Sequence, residues 1–333
     1  MKTRSELNTA GIEDHSSHRA RSLRSAKLTA GVTILLFTLV NGEAAVEQPD
    51  FCRRTAQAVL TSCRNGAQSD YWLALAKCEN LADPAAREEC QKQASANLND
   101  ARRTCEEQDD ARLAACERLG GAPYNPVIDP SNFVARVDNP YFPLRPGTTF
   151  IYEGRTAEGL EHDEFAVTHN TRAILGVTCV EVHDTVTVDG ELTEDTLDWF
   201  AQDKDGNVWY LGEDTKELDN GQVVSTEGSW EAGVGGAEAG IIMWADPAAH
   251  IGEEYRQEFS QGVAEDFGKV VAVDQAVDVP FGSLTGCLKT EDRSALEPGV
   301  LENKYYCPQI GIALEVTFQG GSDRNELVDV IGP

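Results

Sequence analysis

Nine cysteines carry the sharpest chemistry in this sequence, and the first six form a palindrome. Cys52, Cys63, Cys78, Cys90, Cys105 and Cys116 are separated by 11, 15, 12, 15 and 11 residues, symmetric about Pro84. Two chemistries fit such a set: nested disulfides, or a column of thiolates on facing helices that binds Cu(I) or zinc. At about 3.6 residues per turn, 11 and 15 residues are close to three and four whole turns, so successive cysteines within an arm drift by only about 20° to 60° around a helix. An antiparallel hairpin with three rungs follows, and it predicts the pairs Cys52–Cys116, Cys63–Cys105 and Cys78–Cys90. No CxxC or CxxCH occurs, which removes the zinc-ribbon and c-type haem signatures. Of the last three cysteines, Cys287 and Cys307 bracket a hairpin-like segment and are the preferred fourth bridge. Cys179 is then a small buried hydrophobe, or, if exposed, a site of covalent dimerisation.

Other reactive residues point less sharply. In DKDGNVWYLGED, Asp203, Asp205 and Asn207 alternate as calcium ligands do, but Val208 stands where an EF-hand loop needs glycine. A tight Asp-Gly hairpin turn explains the same residues, and no firm metal site or cofactor is called for. Of the histidines, His183 has Asp184 beside it as a possible base, yet neighbours on a strand point to opposite faces. No HExxH or GxSxG occurs, and the carboxylates are too many for a catalytic pair to be chosen, so no catalytic residue is assigned. Trp199, Trp209, Trp230, Trp244 and Tyr306 are the candidate ligand-binding residues, since aromatics on one concave sheet face could hold an apolar or sugar-like ligand. The segment SWEAGVGGAEAGIIMWADP is expected to be a loop or a flap over that face.

The elements that must position these residues divide into four segments. Residues 1–44 have the order of a secretory signal peptide: basic residues, the apolar run LTAGVTILLFTLV, then small residues, with cleavage near Ala44. Thirteen apolar residues are short for a bilayer, which takes about 20. A secreted or periplasmic location follows, and it favours disulfides over thiolates. Residues 45–120 read as the helical hairpin, with Asp83-Pro84 starting the second helix, Gly120-Gly121 ending it and Gly66 a point of kinking or breakage. Residues 121–147 read as a proline-rich linker. Residues 148–333 read as an antiparallel all-β domain, a sandwich or curled half-barrel built of consecutive hairpins. The whole is α+β.

Charge narrows the partners. Residues 121–333 hold twelve basic and thirty-nine acidic side chains, most of the chain's net −28. Such a surface repels nucleic acid and anionic membrane.

The strings NPYFPLRPGTTFIYEG, DWFAQDKDGNVWYLGEDTKE, STEGSWEAG and LEPGVLENKYYCPQIG resemble segments of a bacterial exported or envelope protein family without an assigned activity. The resemblance covers most of residues 138–330 and implies an envelope β-domain, with no catalytic residues to carry over. More loosely, a curved sheet ending in CPQIGIALEV is similar to the half-barrels of envelope proteins that carry lipids or lipoproteins. The leading expectation is therefore an exported, non-enzymatic binding protein for a small apolar ligand or an envelope protein partner. The rivals are a secreted hydrolase whose site is assembled from distant residues and a metal-handling protein.

Overall fold

The computed structural model describes residues 50–156 and 158–332. The expected leader and its cleavage point near Ala44 lie outside the described residues. Helix α1 (Phe51–Glu79) is followed, after a short turn, by α2 (Pro84–Leu119). Asp50 caps α1 by accepting the backbone N–H of Arg53, and Asp83 caps α2 by accepting that of Ala85. Pro84 sits in the first turn, where its missing N–H leaves no partner wanting. Gly120, at φ 88°, ends α2 with its N–H on the Cys116 carbonyl. The helix runs unbroken through Gly66, against expectation. One glycine costs only about 1 kcal/mol in a helix, and the Cys63–Cys105 bridge ties the chain one turn away.

All three rungs form as spaced: Cys52–Cys116, Cys63–Cys105 and Cys78–Cys90, with Cα–Cα distances of 5.6, 5.8 and 5.5 Å. Paired sulfurs leave no thiolate column for a metal. The bridges matter because the arms bury little else. On α1 only Ala56, Leu60 and Cys78 are fully buried.

The β-region contains β1 (Phe133–Val134), β2 (Val137–Asn139), β3 (Phe142–Leu144), β4 (Thr149–Arg155), β5 (Leu160–Ile174) and β6 (Val177–Val188). Next come β7 (Glu191–Asp203), β8 (Val208–Asp219), β9 (Gln222–Ser225), β10 (Trp230–Glu231), β11 (Glu238–Met243) and β12 (Glu254–Arg256). Last are β13 (Glu258–Phe259), β14 (Asp266–Val279), β15 (Gly282–Ser294), β16 (Leu301–Cys307), β17 (Gly311–Gln319) and β18 (Arg324–Ile331). Two antiparallel meanders, β4 to β8 and β14 to β18, join where β18 pairs with β4. The two free ends are then tied by one short strap, Glu254–Phe259. Its first half (β12) pairs with β14 and its second half (β13) pairs with β11. The result is a nearly closed, barrel-like antiparallel sheet, more closed than a half-barrel. Gly240 permits the closure, because a Cβ there would meet the Gln257 carbonyl carbon at 2.2 Å.

The stretch expected as a linker is partly built into the barrel. β2 and β3 pair with each other, and Val137, Phe142 and Leu144 are buried with Phe150, Phe200, Leu288 and Tyr306 in the main core. Gln202 anchors this hairpin by accepting the backbone N–H groups of Asp138 and Asn139 at 2.8 Å. The Gly/Ala-rich segment is likewise no flap: it forms β10 and β11, with Ala232, Ala237 and Ala239 buried in a second core around Trp199 and Trp230. Cys179, free and fully buried, packs in the same core, and burial pushes its thiol up to about 12. The bridge Cys287–Cys307 forms between β15 and β16. Among the described residues no helix is long and apolar enough to cross a membrane.

Candidate functional site

The base of the hairpin meets the barrel at its seam. Ala111, Ala115 and Leu119 of α2 pack on Phe267 and Ala295, and Arg118 pairs with Glu254 of the strap at 2.6 Å. Small alanines at four-residue spacing let the helix approach closely. The contact is incomplete, and a cavity of about 520 Å³ remains between the hairpin base, residues 122–126 and the strap. That volume is within the range of about 300–1,000 Å³ typical of small-molecule sites. Its walls are mainly apolar: Ala56 and Val59 from α1, and Trp209, Ile241, Trp244 and Phe259 from the barrel. Tyr124 spans the gap, with its hydroxyl donating to the Ala239 carbonyl at 2.9 Å and its ring edge-on to Phe259 at 5.6 Å. Burial raises that phenol to about 12.

Only three charged side chains line this cavity: Arg112, Arg256 and Glu265. Arg112 is 5% exposed, and its Nε donates to both Glu265 oxygens at 2.8 and 2.9 Å, while the Gly262 N–H donates to the same carboxylate. Neither terminal nitrogen of Arg112 has a hydrogen-bond partner. Arg256, 8% exposed, lies among three rings, its guanidinium carbon 3.9 Å from the centroid of Phe259, 5.0 Å from Phe267 and 5.3 Å from Tyr124. Its Nη1 also lacks a partner. Burial lowers the Arg256 pKa to about 10, which still leaves it a cation at neutral pH. Two cations and one anion give this cavity a positive excess inside a chain of net charge −28.

The barrel lumen holds a second, smaller pocket of about 260 Å³, and its character is opposite. Phe142, Phe165 and Phe200 form an aromatic wall, and Asp163, Asp184 and Asp198 face it from three neighbouring strands. Register explains the cluster: Asp184 stands opposite Phe165, and Asp198 stands opposite Val182, all on the inward phase. Burial raises the Asp163 carboxyl, and burial together with the nearby Asp163 charge raises Asp184 well above the usual range. Burial pushes Asp198 to about 8, where it accepts the Tyr210 hydroxyl. Across the lumen Lys304 is 3.5 Å from Glu315, whose charge raises the Lys304 pKa. Chemically, this pocket can hold a proton on a carboxyl pair at neutral pH.

The five expected aromatic residues do not share a pocket. Trp209 and Trp244 line the seam cavity, Tyr306 lines the lumen, and Trp199 and Trp230 are buried in the second core. Adjacent on β8, Trp209 and Tyr210 take opposite faces and line the seam cavity and the lumen respectively. Asp203 is a turn brace: its two oxygens accept the N–H groups of Asp205, Asn207 and Trp209 and the Asn207 amide. Those donors occupy the lone pairs a calcium ion would need, and no group of three or more metal-ligating side chains occurs among the described residues. His183 pairs with Asp195 at 3.1 Å on the face opposite Asp184. Arg112, Arg256, Glu265 and the lumen aspartates were missed as site residues. For the aspartates a signal existed, because each is in phase with core residues of its strand: Asp163 with Val167, Asp184 with Val180 and Val182, Asp198 with Phe200.

No family model matches the chain, and no curated relative does. Among solved structures, a crystal structure from Parabacteroides distasonis ATCC 8503, described as a "putative lipoprotein", matches with a TM-score of 0.33 and 12% identity. The match covers 57% of this chain and 98% of that one. Likeness at that level carries no functional argument.

Proposed function

We propose that this protein is exported, is not an enzyme, and takes a small, largely apolar ligand into the seam cavity. The observation that carries the reading is a 520 Å³ space walled by Trp209, Trp244, Phe259 and the hairpin base. Water in such a space is displaced favourably by apolar surface, at roughly 25 cal/mol per Å² buried. Four disulfides favour an oxidising compartment, consistent with export. The neutral apolar fluorophore N-phenyl-1-naphthylamine should bind saturably and take energy from Trp209 and Trp244. Val59→Trp, which fills the cavity from its rim, should weaken that binding at least tenfold. Saturable binding that ignores Val59→Trp, or no saturable binding, removes the reading.

The hydrolase reading keeps one specific observation, two buried carboxyls, Asp163 and Asp184, that line the same lumen pocket on neighbouring strands. A hydrolytic activity lost in both Asp163→Asn and Asp184→Asn, with the seam cavity intact, would replace the binding reading.

A further inference from the structure

We propose that the seam cavity selects an anionic amphiphile, an oxyanion head on an alkyl tail, with the head met by Arg256 and Arg112. The inference rests on the apolar-ligand reading of the same cavity and adds the ligand's charge. Three observations converge on it. First, the sign of the cavity runs against the rest of the molecule. Where carboxylates outnumber cations two to one in the whole sequence (56 against 28), this cavity is lined by two arginines and one glutamate. A solvated acidic surface does not produce such an inversion by chance placement alone, because buried charge carries a desolvation cost that a neutral side chain avoids.

Second, Arg256 has no carboxylate of its own among the described residues. The rings of Phe259, Phe267 and Tyr124 surround its guanidinium, but aromatic faces hold a cation without neutralising it. Packing of this kind fixes the plane of the fork, and a fixed guanidinium fork matches the two oxygens of a carboxylate or phosphate. Third, the donors are in surplus. Glu265 engages Arg112 through Nε alone, which leaves both terminal nitrogens of Arg112, and Nη1 of Arg256, shielded from solvent with no acceptor. An entering oxyanion supplies the acceptor that these buried groups lack, and the apolar walls at Val59, Ile241 and Trp244 take the tail. The lumen pocket differs: its one cation, Lys304, already has a carboxylate partner in Glu315 at 3.5 Å, and its other carboxyl groups are those of Asp163, Asp184 and Asp198.

The test uses the intact oxidised protein preloaded with N-phenyl-1-naphthylamine and four twelve-carbon competitors held below their micellar range. These are dodecanoate, dodecyl phosphate, dodecanol and dodecyltrimethylammonium. The oxyanions should displace the fluorophore at about tenfold lower concentration than dodecanol, the scale of a charge-assisted hydrogen-bonded pair, and the ammonium should be the weakest. Whichever of dodecanoate and dodecyl phosphate is tighter identifies the source, a free acyl carboxylate or a phosphorylated lipid. Arg256→Gln should collapse the oxyanion-to-alcohol ratio towards one, and Arg256→Lys should retain part of it. Dodecanol competing as well as dodecanoate on the native protein overturns the proposal while the apolar-ligand reading survives. Absence of fluorophore binding altogether is instead the failure of that reading. Should Arg256→Gln not fold, the ranking on the native protein together with Arg256→Lys still decides.

Discussion

The hairpin and the barrel solve the same problem by different means. The hairpin has helices of 29 and 36 residues but few fully buried apolar side chains, and three nested bridges hold its arms at 5.5–5.8 Å. The barrel relies on a continuous core from Val137 through Phe200 and Leu288 to Leu327, with a single bridge between adjacent strands. Two helices alone cannot enclose an interior, so apolar burial is unavailable to the hairpin in the amount a domain requires. Constraining the unfolded chain takes its place. A curled sheet does enclose an interior, and there the apolar term suffices. The comparison also shows where each region is vulnerable: the hairpin to reduction, the barrel to packing changes and to pH.

Raising the pH should produce the largest separation between them. Burial raises Asp198 and Glu213 to about 8 in the folded barrel, against an unfolded range near 4. Between those limits the folded state binds more protons than the unfolded state, so stability falls as pH rises from about 4 through about 8. Near-ultraviolet circular dichroism melts at pH 5 and pH 9 should show the barrel melting lower at pH 9, and Asp198→Asn should flatten the difference. A pH-independent melting point would mean that these carboxyls are not held neutral.

Next in size is the outer rung. Replacing both Cys52 and Cys116 by serine, with Cys63–Cys105 intact, frees the 11-residue segments on either side of that bridge and should cost the hairpin about 3 kcal/mol. The inner rung, spanning 12, should cost about 3 kcal/mol. Helical signal should be lost at lower denaturant with the barrel's aromatic signal unchanged, and coincident loss of both would make the molecule one cooperative unit. The reciprocal change, Leu288→Ala in the barrel core, should cost about 2–5 kcal/mol and leave the oxidised helices standing. The smallest effect belongs to the hairpin's outer face. Trp72→Ser, at a residue 61% exposed, should move the denaturation midpoint by less than about 0.5 kcal/mol. A larger loss would show that Trp72 packs against something in solution.

Legibility in the sequence followed the period of each element. The cysteine intervals specify the hairpin because a helix repeats every 3.6 residues and the palindrome samples that repeat four times, twice on each arm. Strands β4 to β8, β14, β16 and β17 were legible as alternating or clustered β-branched and aromatic residues, whereas β15 and β18 were not. The strap was not, since Glu254–Arg256 and Glu258–Phe259 are too short to show any period and divide their pairing between strands on either side of the gap. The seam cavity inherits that difficulty, because its walls come from Val59, Tyr124, Trp209 and Arg256, which adjoin only after the barrel has closed. Phe142 is a similar case: its setting among prolines suggested an extended connection, while its ring packs 5.2 Å from Phe200.

Nesting the bridges has one further result. Cys52 and Cys116 enclose all but the outermost residues of both arms, so a protease that cuts the backbone once anywhere from Arg53 to Ala115 releases nothing. The exposed turn around Asn80 and Leu81 is the natural place for such a cut, and Cys78–Cys90 lies directly beside it. A clipped molecule would run as one chain until reduced, with its cavity wall at Cys116 still in position. The region least protected by burial is thus the one in which backbone scission does the least harm.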